Sequence, residues 1–452
     1  MTSFSVLPTL SGATGAPPEE ARRCGTMFLQ GAPTPGVNPI EALVAGVQAL
    51  PPGIRWLNNV ERTIRAHACG LPVERGPRSR AAAGLLAIAG IFGLAGWAAQ
   101  QMGFCLLGLL YVQMLRVRSA DSLKNTVFVG IGAIRETALQ RELAEERQEP
   151  VTFLNETSVA SFAQHFKPGW RELLREWKAI SHDARAQLSD RDLRGLSARD
   201  RRVAFVTEAH RFVWCRAWFR MLRRRGTREP VVFSAASAVA HAAATAGLRA
   251  AYHLHGFQCR SLVYPEFEEV RCFTEPEQQH LASRLPRARV LLSREQSTLI
   301  ETKRAVAVAG CYGQRVGFED CIAFVEWARR RNIAVILRPH PRDHSGFFER
   351  WRGSEGVTWS ESAVPFEEFL ETARPRLLLS WYSTALYDAL RRGIVPVTVR
   401  TEEWRSLDMV FPFREISLHW PGDETEAARF MDGDARMHAF LAAKRQACGI
   451  AP

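Results

Sequence analysis

From residue 126 onward, short apolar runs alternate with longer stretches in which apolar residues recur every three to four positions. The runs suit buried strands, and the stretches suit helices packed on a sheet. Strands are predicted over 126–130, 150–154, 202–206, 230–234 and 250–254. Between them the pattern predicts a charged helix over 135–147, a polar helical region reaching to about Arg202, and an Ala-rich helix over 235–246 that stops at Gly247. A second series follows, with strands over 304–309, 333–337, 357–359, 376–380 and 394–399 and a helix over 318–331. Such alternation gives two consecutive α/β domains, with the seam over 292–303 and a ligand cleft between them.

Ahead of this series the pattern changes. Residues 81–115 carry no charged side chain, and that length exceeds the roughly 20 residues one spanning helix needs. Both flanks are basic, Arg75, Arg78 and Arg80 before and Arg116, Arg118 and Lys124 after, which favours a hairpin with both ends in the cytoplasm. The competing arrangement is an apolar hairpin buried in protein. Residues 1–38, rich in Pro and small side chains, are expected to form a disordered tail, and 39–120 a helical region that includes the hairpin. No apolar run of signal-peptide type opens the chain, so the α/β part is expected to stay in the cytoplasm. The expected location is the cytoplasmic face of the inner membrane, with membrane lipid as a partner.

Composition narrows the chemistry. A net charge of +12 draws the chain toward polyanions, but no aromatic and basic interleaving of the kind that stacks nucleobases is present, so no nucleic acid is expected. The nine cysteines are scattered, without metal-ligand spacing, and read as reduced thiols. Asp190-Arg191-Asp192 and Asp432-Gly433-Asp434 lie in polar stretches rather than after strands, so no catalytic metal and no cofactor is expected.

Three constellations stand where strands end, the place at which open parallel sheets bind ligands. In Arg338-Pro339-His340-Pro341-Arg342 the prolines hold the backbone extended and present His340 rigidly, with Arg338 adding positive potential. Ser383-Thr384 opens a helical run after an apolar strand, where hydroxyls, backbone amides and the helix dipole suit an anion. In His253-Leu254-His255-Gly256, His255 is a candidate base near neutral pH. Gly313 and Gln314, after the first strand of the second domain, and Glu368, at a helix start, fit the margins of a nucleotide pocket.

Together the His-Gly after a strand, Pro265-Glu266-Phe267-Glu268, the Arg-Pro-His-Pro loop and the run from Ser383 to Val397 resemble bacterial GT-B transferases of surface polysaccharides. That group includes capsule enzymes, sialyltransferases and the glycerophosphate polymerases of teichoic acid. The resemblance covers roughly residues 128–399 and implies an α/β fold of two Rossmann-like domains, GT-B-like, with the apolar helical region as an N-terminal extension. It implies an acceptor domain over 121–295 and a donor-nucleotide domain over 296–452. From the sialyltransferases it assigns the donor's phosphate to His340, Ser383 and Thr384, and from the polymerases it makes His255 the base. In place of the sialyltransferases' acidic base the chain offers Glu136 or Glu208. The function implied is a metal-independent glycosyltransferase that uses a nucleotide-sugar donor and a polysaccharide or lipid-linked acceptor. A polyol-phosphate transferase and a non-catalytic part of a polysaccharide assembly complex are the alternatives.

Overall fold

The computed structural model describes Leu123 and residues 126–450, apart from 132–133, 157, 189–211, 227–228, 294–297, 312–315, 342, 344–345, 402–407 and 434. The apolar segment 81–115 and the strand expected over 202–206 lie outside the described residues, and among those described no helix is long and apolar enough to cross a membrane.

Six parallel strands form the first sheet: β1 (Val127–Gly130), β2 (Thr152–Asn155), β3 (Val231–Phe233), β4 (Ala250–His253), β5 (Glu269–Cys272) and β6 (Arg289–Leu292). The helices between them are α1 (Ile134–Arg147), α2 (Val159–Ala163), α3 (Trp170–Leu188), α4 (212–224), α5 (Ala238–Thr245) and α6 (Glu275–Arg284). The spatial order is β2-β1-β3-β4-β5-β6, so the winding reverses between β1 and β3.

A second six-stranded parallel sheet follows, with β7 (Lys303–Ala309), β8 (Ala334–Arg338), β9 (Val357–Trp359), β10 (Pro375–Ser380), β11 (Val395–Val399) and β12 (Leu418–Trp420). Its helices are α7 (Phe318–Arg330), α8 (Phe366–Ala373), α9 (Thr384–Arg391), α10 (Phe413–Ile416), α11 (Glu424–Met431) and α12 (Arg436–Ala447). The order β12-β11-β10-β7-β8-β9 reverses between β7 and β10. Each sheet is thus doubly wound, and the pair makes a two-domain Rossmann-like, GT-B-like α/β fold.

The central strands are continuous apolar runs because both their faces are covered, as parallel sheets require. Three strands differ from the sequence expectation: β5, β6 and β12 are each only three or four residues long and include a charged residue or a histidine. In β5, Val270 and Cys272 are buried while Glu269 and Arg271 alternate with them, paired to each other at 2.9 Å. With Arg271 also paired to Glu146 and Glu269 to Arg289, the half-buried charges let the strand pair inside the sheet.

Most buried apolar side chains of both domains form one connected core, and Phe128, Leu139, Leu143, Val232 and Ala251 form a separate cluster between α1 and the first sheet. Where the domains meet, Cys259 and Met409 make an antiparallel bridge. Around it Val410 N donates to Gln258 O at 3.0 Å, Ser261 N donates to the Asp408 carboxylate at 2.8 Å, and Phe257 stacks on Phe411 with centroids 4.0 Å apart.

Candidate functional site at the two reversal points

A parallel sheet opens a crevice where its winding reverses, beyond the carboxyl ends of the strands. In the second sheet that crevice is bounded by the loops after β7 and β10. Ser380, the last residue of β10, donates its hydroxyl to Ala309 O at 2.8 Å and so ties the two strand ends together. Past it Trp381 donates to Val316 O at 2.6 Å, and the chain turns at Ser383 into α9.

Ser383 is the N-cap of α9, in extended conformation, and its oxygen accepts from Ala385 N at 3.2 Å. A hydroxyl that accepts there keeps its proton for another acceptor. Ser383 and Thr384 are both half-buried, while Ala385 to Arg391 are buried. The helix is locked in place by its packing, and its first turn is left partly open.

His340 stands two residues beyond β8, the neighbour of β7, and is half-buried. Its loop presses on Gly310 at the end of β7, so closely that a Cβ on Gly310 would fall 2.8 Å from His340 N. His340, Ser383 and Thr384 therefore share one end of the sheet, His340 beyond β8, which neighbours β7, and Ser383 and Thr384 beyond β10. Arg338 is placed otherwise: its guanidinium turns to the 360–364 loop, donating to Ser360 Oγ at 3.3 Å, Glu361 O at 3.0 Å, Ser362 O at 3.4 Å and Val364 O. It also lies 5.0 Å from the centroid of Phe369. Those contacts make it an anchor for the loop that leads into α8, in whose exposed first turn Glu368 sits. Gly313, Gln314 and Glu208 lie outside the described residues.

In the first sheet the reversal lies between β1 and β3; Glu136 follows β1, and His255, beyond the neighbouring β4, reaches the end of β3 through Ser234. Glu136, wholly buried in the first turn of α1, accepts from Ile131 N at 3.0 Å and from Ser234 Oγ. A Cβ on Gly130 would overlap this carboxylate, with its nearest atom at 2.5 Å, so the glycine makes the room Glu136 occupies. His255, half-buried beyond β4, places Nδ1 2.6 Å from Ser234 O. A carbonyl oxygen only accepts, so Nδ1 carries the proton and Nε2 of the neutral ring holds a lone pair. Ser234 thus links the two candidates, through its hydroxyl to Glu136 and through its carbonyl to His255. The sequence reading missed Ser234, whose position one residue past an apolar strand was the available signal.

His253, two residues before His255, is a different kind of group. Burial drives its pKa down to about 3, and Arg271 adds to the shift against Glu269. It is neutral at physiological pH and 4% exposed.

The two crevices meet at an aromatic cluster. Phe257, in the His255 loop, packs edge-on against Phe413 at 5.1 Å. Phe413 stacks on Tyr382, in the Ser383 loop, at 4.9 Å and 8°. The Tyr382 hydroxyl accepts from Arg414 Nε at 3.0 Å. The loop of His255 and the loop of Ser383 therefore rest on the same ring. Among the described residues, no group of three or more His, Cys, Asp or Glu is arranged to hold a metal ion.

No protein-family model and no curated protein matches the chain. Among solved structures it is similar to the Methanocaldococcus jannaschii UDP-GlcNAc 2-epimerase in complex with UDP-GlcNAc and UDP, at 10% identity and a TM-score of 0.41, covering 69% of this chain and 93% of that one. It is also similar to an Arabidopsis thaliana UGT complexed with UDP, at 13% identity and a TM-score of 0.41, covering 71% and 94%. A third is a putative UDP-N-acetylglucosamine 2-epimerase from Listeria monocytogenes, at 12% identity and a TM-score of 0.43, covering 71% and 91%. At such identities and scores the likeness is one of outline, and it carries neither substrate nor activity to this chain.

Proposed function

We propose that this protein is a glycosyltransferase that moves a sugar from a nucleotide-activated donor to a surface polysaccharide or glycolipid acceptor. The observation that supports it most is the placement of His340, Ser383, Thr384 and the first turn of α9 at one end of the second sheet, beside the β7/β10 reversal, with Ser383 joined through Tyr382 and Phe413 to the loop of His255. The donor's phosphate is held by the hydroxyls, the histidine and the amide end of α9, which stabilise the negative charge that grows as the sugar–phosphate bond breaks. The acceptor hydroxyl attacks the anomeric carbon, and its proton passes to His255 Nε2. The nucleotide leaves with the bonding electron pair on its phosphate oxygen. Glu136 is the weaker base, because its carboxylate already accepts two hydrogen bonds and is closed to solvent. It holds Ser234, and Ser234 orients the ring of His255.

The test is a titration with UDP and CMP, followed by a panel of nucleotide-activated sugars and polyol phosphates scored for nucleotide release. His340→Ala and Ser383→Ala are expected to lose nucleotide binding, while His255→Asn binds and does not turn over. If both donor-side variants fold and bind nucleotide like the parent, the donor site is elsewhere. Release only from CDP-glycerol-type donors selects the polyol-phosphate reading instead.

A further inference from the structure

Among the described residues, Trp170 at 44% and Leu174 at 50% exposure are, with Leu299, the large apolar side chains left most open. Trp170 and Leu174 are one turn apart on α3, and the other exposed residues of its first three turns are Arg171, Arg175 and Lys178. At about 100° per residue these five side chains fall on a single arc of about 140°. They are graded across it from Trp170 through Leu174 to Lys178, Arg171 and Arg175. The acidic residues of α3 lie off this face. Glu176 is buried beneath Arg216 and Arg220, and Glu172 is half-buried, 4.0 Å from Arg224.

The patch continues onto α4. Arg223, Arg224 and Arg225 are exposed at its end, and Arg225 lies 4.2 Å from the ring of Phe166, just ahead of α3. Arg223 donates to Ala246 O, at the end of α5, where the chain enters β4. The patch therefore borders the edge of the sheet at which strands begin, opposite the edge that carries His255.

We infer that the exposed face of α3, with the arginines that end α4, is a docking surface for an anionic lipid bilayer. An indole and a leucine side by side suit the boundary between headgroups and acyl chains, and flanking cations suit phosphate headgroups. A protein partner with an acidic surface would meet the cations, but it would leave the neighbouring Trp and Leu without a matching environment. Docked here, the protein turns the strand ends that carry His255 away from the lipid. The inference is independent of the transferase reading, because none of these residues belongs to the donor or acceptor site.

The experiment is co-sedimentation of the full chain with vesicles of phosphatidylcholine alone and with about one-third phosphatidylglycerol. Two variants are compared with the parent: Arg171→Gln/Arg175→Gln/Lys178→Gln, and Trp170→Ser/Leu174→Ser. At about fivefold per cation, the triple variant is expected to lose about a hundredfold of the preference for anionic over neutral vesicles. The Trp/Leu variant is expected to bind both vesicle types more weakly. UDP titration should be unchanged in both, so failure here is distinct from failure of the proposed function. Three outcomes overturn the inference. The first is parental binding ratios in both variants, which leaves the membrane to another segment. The second is loss of heparin binding with vesicle binding intact, which points to a soluble polyanion. The third is a Trp/Leu variant that unfolds more readily with vesicle binding unchanged, which means that the chain's own residues cover this face.

Discussion

Glu277 is wholly buried, yet it carries three hydrogen bonds: Oε1 accepts from Gln258 N at 2.9 Å, and Oε2 accepts from Phe273 N and Thr274 Oγ1, each at 3.2 Å. It ties the residues that enter α6 to the loop that follows His255. Burial pushes its pKa from 4.5 up to about 7, while burial pushes that of His253 from 6.5 down to about 3. Between pH 4.5 and 7 the folded state binds a proton on Glu277 that the unfolded state has lost, so this residue lowers stability as pH rises. Between pH 3 and 6.5 His253 does the opposite, because the unfolded state binds the extra proton. Over 4.5–6.5 the two slopes, each about 1.4 kcal/mol per pH unit, oppose one another. Glu277→Gln should therefore gain stability relative to the parent on going from pH 4.5 to 7, by on the order of 3 kcal/mol. Chemical denaturation across that range reads it, and a constant offset between the two proteins would refute it. At the donor side, Ser383→Asp keeps the cap of α9 and should leave stability within about 0.5 kcal/mol. Ser383→Ala should cost about 1 kcal/mol. Only the aspartate sets a negative charge against the donor's phosphate, so it should be the more stable variant and bind UDP less well. An aspartate variant with parental UDP affinity would remove Ser383 from the phosphate site.

At the scale of elements, two glycines separate what the fold needs from what a ligand needs. Gly310, the residue after β7, has backbone 2.8 Å from where its Cβ would stand, whereas a Cβ on Gly256 would meet nothing within 4 Å. Gly310→Ala must push the His340 loop outward, and should cost about 1–3 kcal/mol together with UDP affinity. Gly256→Ala should change stability by less than about 0.5 kcal/mol. If turnover of Gly256→Ala falls with stability intact, the requirement for glycine comes from the substrate. Thermal melts paired with UDP titration separate the two cases. The same elements show what the sequence made legible. Strands covered on both faces, such as β7, β8 and β11, announce themselves as unbroken apolar runs. β5 does not, because its burial depends on Arg271 meeting Glu146, which is 125 residues away. His255, His340 and Ser383 were legible since Gly, Pro or a helix start marks their loops. Ser234 and Glu277 were not, because each acts through partners that only the fold brings near. The opposite happened at Arg338: its place beside His340 suggested a phosphate contact, while its guanidinium is occupied by a loop 22–26 residues later.

For the whole molecule, the seam decides how the two half-sites cooperate. Phe257 stacks on Phe411, meets Phe413 and Tyr387 edge-on at 5.1 and 5.7 Å, and belongs to the loop that carries His255. Asp408 fastens the same loop, its backbone oxygen accepting from Arg260 N at 2.5 Å and its carboxylate from Ser261 N at 2.8 Å. Truncating a buried phenylalanine costs about 3–5 kcal/mol, and Phe257 is only half-buried, so Phe257→Ala should cost about 2 kcal/mol. The functional consequence is asymmetric. His340, Ser383 and Thr384 are held by the second sheet itself, through Gly310, Ser380 and the packing of α9. The His255 loop, by contrast, takes part of its support from the other domain. Phe257→Ala should therefore lower turnover at least tenfold, the equivalent of about 1.4 kcal/mol in the transition state, while UDP affinity stays near that of the parent. Isothermal titration and single-turnover rates on the same preparation measure both. A parallel fall in affinity and rate would mean that the seam supports the donor site as well, and that the two domains form one site rather than two half-sites brought into register.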